Sequence, residues 1–476
     1  MASSNWVVLK FGGTSVSGRA QWHTIARLAQ ERRAENLHVL LVCSAVAGVT
    51  NSLVALADDP GSESKLAGVL DRHRQLATEL GVDGNRWIEE AEASLRTCLR
   101  GLASADDHAQ RAELLSTGEW LSTRIGAEFL QQSLPLTWVD ARDALEVREE
   151  SELSAARKWL SASCTPGLDI QLAGHWRRTG PVLITQGFVA RTAGGATALL
   201  GRGGSDTSAA LLAGRLAAAR LEIWTDVPGL FSADPRLLAR ARLLRDLDYD
   251  EALEMAASGA GVVHPRCIRA AAATGIPIFI RDTARPALQG TRIAGPGEHA
   301  DAHRTRGVKA ITCQKGMIVL LMQNIDPRRE VGFLARVFDI FRRHGVSIDL
   351  VATSETTTTA AVNGPANHLD SGALATLVGD LESECSVRVY TDCVCVNLVG
   401  TEVRTALPGL QPAMQFFQTR NLLMMSQSAN DRCLSLLVES EGHEELLLKA
   451  HEALIPAGGV ASGVFGQTWS EIAESS

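Results

Sequence analysis

The segment Lys10-Phe11-Gly12-Gly13-Thr14-Ser15-Val16 puts a lysine and paired glycines directly behind the apolar run Trp6 to Leu9, where a strand should end. Those residue types make a phosphate cradle. Glycines let the backbone approach an anion with no Cβ in the way, the lysine supplies a point charge, and the first amides of a following helix attract negative charge. Thr14 or Ser15 can cap that helix. A turn that only hands a strand over to a helix would read the same way, so further loops must give this one its meaning.

The second loop is Leu200-Gly201-Arg202-Gly203-Gly204-Ser205-Asp206-Thr207, which opens a helix running into Ala-Ala-Leu-Leu. Arg202 in a glycine-rich turn can grip a carboxylate or phosphate with its planar fork, and Asp206 can meet an ammonium. Ser205 or Asp206 would equally serve as a plain helix cap, although five glycines from Gly194 to Gly204 exceed what a cap requires. A third loop, Thr225-Asp226 to Asp234-Pro235-Arg236, leaves a strand through two prolines. Such a turn can wrap a nucleotide base with Arg236 near its phosphates, and Asp-Pro is also an ordinary turn. Ser44 and Thr50-Asn51 follow another strand end and offer hydroxyl and amide donors, or helix caps. Glu119, in Ser116-Thr117-Gly118-Glu119, interrupts an apolar tract, either as a solvated helix residue or as a carboxylate that pairs with a substrate amine.

The elements that must hold these loops alternate. From residue 6 to about 295, short apolar strands alternate with helical patterns, which is an α/β domain with a largely parallel sheet. Leu37–Cys43, Pro181–Thr185, Leu221–Thr225 and Ile276–Arg281 are its clearest strands, and residues 62–130 form a long helical tract. In open α/β sheets ligands bind at the C-terminal strand ends, where the loops lie. Arg285–Val308 reads as a linker. Beyond it, strand 317–323, helix 331–344, strands 346–353 and 356–362, helix 366–381 and strand 386–391 form a β-α-β-β-α-β unit. Strand 394–399, helical tract 402–420, strands 422–429 and 433–439, and helix 443–454 repeat the order, giving two ferredoxin-like α+β units in tandem.

A chain of 476 residues implies about two to four domains. The net charge of −8 with dispersed basic residues excludes nucleic acid and anionic membrane surfaces as expected partners. Nine cysteines include no C-x-x-C and suggest reduced thiols in a cytoplasmic protein; Cys393 and Cys395 should share one strand face. No apolar stretch approaches the roughly 20 residues of a membrane helix, and no signal peptide is apparent.

In their fixed order the loops, with Ile184-Thr185-Gln186-Gly187-Phe188 and the tail units, resemble the aspartate kinases of the amino-acid kinase family. The resemblance runs from Trp6 to about Leu454. It implies an amino-acid-kinase-like domain over 1–295, ACT-like regulatory units over 308–391 and 392–460, and a tail or linker over 461–476. It implies transfer of the ATP γ-phosphoryl group to the β-carboxylate of L-aspartate, with Mg2+ riding on the ATP phosphates; the sequence itself shows no His or Cys cluster with the spacing of a protein-built metal site. Lys10, Arg202 and Asp206 would be the catalytic residues. Lys10 and the amides of Gly12 and Gly13 would hold phosphates. Arg202 and Ser205 would orient aspartate carboxylates, with Ser44, Thr50, Glu119, Phe188 and Asp206 lining the same pocket. Thr225, Asp226, Phe231 and Arg236 would form the nucleotide side.

The ACT-like units imply an amino-acid effector and a homodimer or higher homo-oligomer formed through them. The Ser354-Glu355 pair after Ser347-Ile348-Asp349-Leu350-Val351 resembles the lysine-sensitive branch. Carboxylates at Asp349 and Glu355 suit a cationic lysine better than threonine, with Ser354 and the loop Asn324–Asp326 as further lining. Two departures stand out, Phe231 where relatives often carry tyrosine and Gly261 where they carry lysine; a lost phosphate-facing cation would weaken ATP binding by about 1 to 3 kcal/mol. They leave room for an amino-acid sensor with a degraded kinase half, and the end of the chain for a linker to a fused diaminopimelate decarboxylase. A kinase for another acid, such as glutamate, fits the tail and Glu119 less well.

Overall fold

The apolar run ahead of Gly12 becomes β1 (Trp6–Phe11), a strand with every residue buried. The computed structural model describes residues 5–103, 107–150, 154–295, 306–323, 331–418, 420–456 and 463–474. After β1 come β2 (His38–Cys43), β3 (Leu136–Trp138), β4 (Val182–Gln186), β5 (Val189–Arg191), β6 (Thr197–Leu199), β7 (Arg220–Thr225), β8 (Arg242–Leu244), β9 (Asp246–Asp248), β10 (Ile278–Asp282) and β11 (Thr291–Ala294). Eight of these form one sheet in the order β3-β4-β2-β1-β7-β10-β11-β9. All neighbours run parallel except β10 with β11. Buried strands in such a sheet read as continuous apolar runs, which is why β2, β4, β7 and β10 were visible from sequence within one or two residues. The three-residue strands β3 and β9 carry too little pattern to be seen.

The helical tract resolves into three helices, Glu63–Leu80, Asn85–Leu102 and His108–Gln131, broken at the left-handed glycines Gly81 and Gly84 and again near Asp107, whose side chain caps the third. The region expected to be a linker, Arg285–Val308, is corrected. It contains β11, the partner of β10, and its last two residues begin β12 (Gly307–Gln323).

The tail strands are β12, β13 (Leu350–Thr353), β14 (Thr357–Asn363), β15 (Ser386–Thr401), β16 (Leu422–Gln427) and β17 (Cys433–Glu439). They form a single sheet, β13-β14-β12-β15-β17-β16. Here β15 runs unbroken through residues 391 and 392, where two separate strands were expected. Met317–Gln323 pairs with Ser386–Cys393, and Gly307–Gln314 pairs with Cys395–Thr401, with bulges between the two stretches. The second ferredoxin-like repeat, which lacked a fourth strand in the sequence, thus receives it from Gly307–Gln314, ahead of the first repeat. That strand covers what would be an open sheet edge. Cys393 and Cys395 are both buried in one apolar cluster. The helical tract 402–420 is a succession of short turns, the 3-10 segments Val403–Leu410 and Gln415–Gln418 flanking Gln411–Met414, because Pro408 and Pro412 interrupt it.

By contacts the chain divides into two compact units. One holds 1–230, 245–253 and 261–298, and the other holds 231–244, 254–260 and 299–476. Within the second, β18 (Phe465–Thr468) pairs with β8 and leads into the helix Trp469–Glu474. Those closing residues, read from sequence as a tail, are structured, with Ile472 buried.

A buried ion cluster ties the first unit together. Glu222 on β7 is fully buried and accepts from Arg32 (2.8 and 3.1 Å), Arg220 (2.7 Å) and the Trp224 indole (3.2 Å). Burial pushes its carboxyl up, but the hydrogen bonds and charges of Arg32 and Arg220 outweigh burial and hold it below the usual range. A depressed carboxylate contributes stability above its unfolded pKa and loses it as pH falls through the folded value. Arg32→Leu should cost about 3 to 5 kcal/mol in urea unfolding near neutral pH, the range for stranding one member of a buried pair, and the cost should shrink towards acid.

Candidate active site

The parallel strands end side by side, and the first and third loops singled out in the sequence leave those ends, while the second follows β6 of the separate antiparallel β5-β6 pair. Lys10 is the penultimate residue of β1, Ser44 follows β2, Gly187-Phe188 follows β4, and Thr225-Asp226 closes β7. The glycine turn after β1 is wedged against the turn after β2. A Cβ at Gly13 would stand 3.0 Å from the Ala45 carbonyl oxygen, so a side chain would crowd the backbone of the second turn. The Gly12 amide donates to the Trp224 carbonyl (3.4 Å), and the Phe11 and Trp224 rings stack at 6.4 Å. The cradle is thus pinned to β7.

Neither Thr14 nor Ser15 caps the following helix, as had been expected. Gly12 and Gly18 occupy the cap positions, and the Ser15 hydroxyl bonds instead to that of Thr283 (2.8 Å). In the same way Gly48 precedes the helix Val49–Ala57, so Ser44, Thr50 and Asn51 are not caps. Ser44 and Thr50 are half-buried.

The second loop delivers Asp206 onto β1. Its carboxylate pairs with the Lys10 ammonium at 2.5 Å, both side chains largely shielded from solvent. Gly203, left-handed at φ +65, is the cap of the helix Gly204–Arg215, so Ser205 and Asp206 lie within its first turn. A Cβ on Gly203 would reach 2.3 Å from that of His264. Arg202 beside it is exposed. His264 caps the helix Pro265–Thr274 through Nδ1. Burial and the charges of Arg266 and Arg202 lower its pKa, and Asp206 acts against them. His264 therefore lies in the field of both loop charges. Sequence reasoning passed over it, although a histidine just before a proline-opened helix was the available signal.

Glu119 is not a solvated helix residue. It is 3% exposed, and burial pushes its carboxyl up to about 8 against a backbone hydrogen bond from Ala45 and the charge of Lys10. Phe188 has a left-handed backbone (φ 74), held by its amide on the Ser208 hydroxyl (3.2 Å). That conformation is costly for a bulky residue and marks a positioned loop. The preceding Gln186 donates to Asp140 (2.7 Å), whose carboxylate also takes a forked bond from Arg142. Burial would raise Asp140, yet Arg142 keeps it below the ordinary range. Asp140 and Arg142 carry no sequence signature; only folding brings them to Gln186.

Lys10, Gly12, Gly13, Ser44, Glu119, Phe188, Ser205 and Asp206 therefore belong to one neighbourhood, with Arg202 on its exposed side. Thr225 and Asp226 close β7, the Thr225 hydroxyl donating to Asp226 (3.1 Å). Phe231 and Arg236 fall in the second unit. The Phe231 ring is buried edge-on against Trp469 (5.7 Å), and Arg236, 88% exposed, pairs with Asp234. The Phe231 ring is thus spoken for inside its own unit.

In the tail, Ser354 and Glu355 line a cavity of about 360 Å3 with Val331–Ala335 and Thr353–Thr358. Asp349 does not line it. It stands ahead of β13, at the far end from Ser354, where its carboxylate accepts from the Asn363 amide (2.6 Å). Asn324 and Asp326 lie outside the described residues. Among the described residues no group of three or more His, Cys, Asp or Glu side chains is placed to hold a metal, and no helix is long and apolar enough to cross a membrane.

Replacing Gly203 with alanine should destabilise the first unit by more than the about 1 to 2 kcal/mol that a left-handed backbone costs, because His264 must also move. Thermal unfolding and turnover measured together should show both falling.

The sequence model of the amino acid kinase family matches residues 5–282. Lysine-sensitive aspartokinase 3 of Escherichia coli (strain K12) is 32% identical over 464 residues, 95% of this chain and 99% of that protein. The chloroplastic aspartokinase 3 of Arabidopsis thaliana is 28% identical over 464 residues, 94% of this chain and 81% of its own length. Among solved structures, E. coli aspartokinase III in complex with aspartate and ADP (R-state) aligns with TM-score 0.78 at 30% identity, covering 95% of this chain and all of that one. The same enzyme with lysine and aspartate (T-state) aligns with TM-score 0.74 at 29% identity and the same coverage. The family model over residues 5–282 and the aspartokinase likeness across 95% of the chain, with Lys10 at the end of a central strand paired to the aspartate of a second glycine loop, make this protein a member of the amino acid kinase family and, within it, of the aspartokinases.

Proposed function

We propose that this chain transfers the ATP γ-phosphoryl group to the β-carboxylate of L-aspartate, forming 4-phospho-L-aspartate and ADP in the cytoplasm, as the first step towards lysine, threonine and methionine. The observation that carries the residue roles is the Lys10–Asp206 pair at 2.5 Å beside buried Glu119. A carboxylate oxygen attacks phosphorus, the bond to the ADP oxygen breaks, and the charge passes to ADP. Such a transfer asks the protein chiefly for alignment and charge neutralisation. Lys10, held ready by Asp206, meets the transferring phosphate together with the amides of Gly12 and Gly13. Arg202, on the exposed side, and Ser205 orient the carboxylates of aspartate. Glu119 receives its ammonium, and Ser44, Thr50 and Phe188 shape the pocket. Thr225 and Asp226 serve the nucleotide.

Magnesium would be held by the nucleotide's own phosphate oxygens, hard donors that suit it, and would screen their charge. The kinase region is taken as 1–295, and the tail as two ACT-like repeats interleaved in one sheet. Lysine is the effector proposed for the cavity at Ser354 and Glu355, the carboxylate facing its side-chain ammonium. Val351 on β13, an edge strand, is 44% exposed, and Val331 and Leu334 are exposed as well. An edge strand with an exposed valine, near apolar residues exposed at the start of the helix Phe333–Arg343, supports pairing of tail units from two chains.

A hydroxamate assay with ATP and aspartate or glutamate tests the reaction. Turnover should be confined to aspartate; nucleotide binding without turnover would instead favour a sensor with a silent kinase half. Lys10→Ala should lower kcat by about 10² to 10³, the usual loss for one group that stabilises transition-state charge. Lysine should inhibit and threonine should not, and Glu355→Gln should raise the half-inhibiting lysine concentration by about tenfold or more, as expected for a charge-assisted bond.

A further inference from the structure

Glu119 is held on the helix His108–Gln131 with the Ala45 backbone on one side and no hydrogen-bond partner at Oε2. The groups facing it offer no spare charge. Lys10, on β1, is the cation that reaches it, and that ammonium is engaged by Asp206 of the helix Gly204–Arg215. His73, on the helix Glu63–Leu80, contacts the backbone of neighbouring Gly118; it is fully buried, bonded through Nδ1 to the Val69 carbonyl (2.8 Å), and lowered by burial to about 4, hence neutral. The nearby hydroxyls of Ser122 and Thr123 are turned to backbone carbonyls of Ser44, Glu119 and Trp120. An ionised carboxylate would leave one bare oxygen in a dry site, a costly arrangement.

We propose that the substrate's ammonium and a proton compete for Glu119, so that the free enzyme carries the proton and binding of aspartate expels it to solvent. This rests on the reading of Glu119 as the ammonium's partner. The step is balanced: the Glu119 O–H bond breaks, its electron pair stays on the carboxylate, the proton goes to water, and the arriving ammonium keeps its own protons. The free-state pKa of about 8 sets the range. Aspartate binding should weaken about tenfold for each pH unit below 8 and level off above it.

The test is calorimetric titration of the full-length protein with L-aspartate near pH 7 in two buffers of different ionisation heat. Close to one proton released per aspartate is expected, a result that needs no variant. Glu119→Gln, a neutral isostere, should bind aspartate more weakly, release no proton, and give a dissociation constant flat from about pH 6 to 8. Infrared difference spectra should show the wild-type protonated carboxyl band vanish on binding, with no such loss in the variant. Aspartate binding by the wild type with no proton release and no pH dependence overturns the proposal while leaving the kinase reading intact. A folded wild type that gives no binding heat with aspartate overturns both.

Discussion

The pairing of Lys10 with Asp206 is the contact on which the site depends. A lysine at the end of a buried strand needs a partner, since an uncompensated charge in a shielded site is far too costly to keep. Here the partner comes from a helix nearly two hundred residues downstream, and reaching it forces everything between into place. The turn after β1 must be thin enough to pass under Ala45, the glycine loop must bend left-handed beneath His264, and the Phe188 turn must sit against the same helix start. Two surfaces that would each be unsatisfied alone are joined into one neighbourhood.

Around that contact the protein uses buried charge in two ways. Glu222 is fully paired, so burial is outweighed and the carboxylate stays ionised while tying β7 to the helix that follows β1. Glu119 is left half-satisfied, so burial wins and its carboxyl is pushed up. The same residue type thus locks the scaffold at one place and, in the role we propose, reads a ligand at another. What separates them is the number of donors within reach rather than depth.

The tail follows a different logic. Two repeats of the same pattern do not each close their own sheet. They interleave through β12 and β15, two long strands with bulges where one repeat gives way to the next. The first repeat holds four strands of its own and the second is completed only by Gly307–Gln314 from ahead of the first, so the Ser354–Glu355 end and the second repeat share one six-stranded sheet.

Periodicity and punctuation in the amino-acid order determined the buried strands β1, β2, β4, β7 and β10, the βαββαβ cadence of the tail, and the loops bearing Lys10, Ser44, Arg202, Asp206 and Asp226, because these features are local: apolar runs and glycine and proline bends. Tertiary structure alone decided which oppositely charged groups meet, that Glu119 is stripped of water, that His264, Asp140 and Arg142 buttress the loops, that Phe231 turns onto Trp469, that Asp349 stays away from the Ser354 cavity, and that Gly307–Gln314 completes a repeat lying a hundred residues ahead. Each of these depends on proximity between segments far apart in the chain, and hydration, field and strand partnership exist only once that proximity has been created.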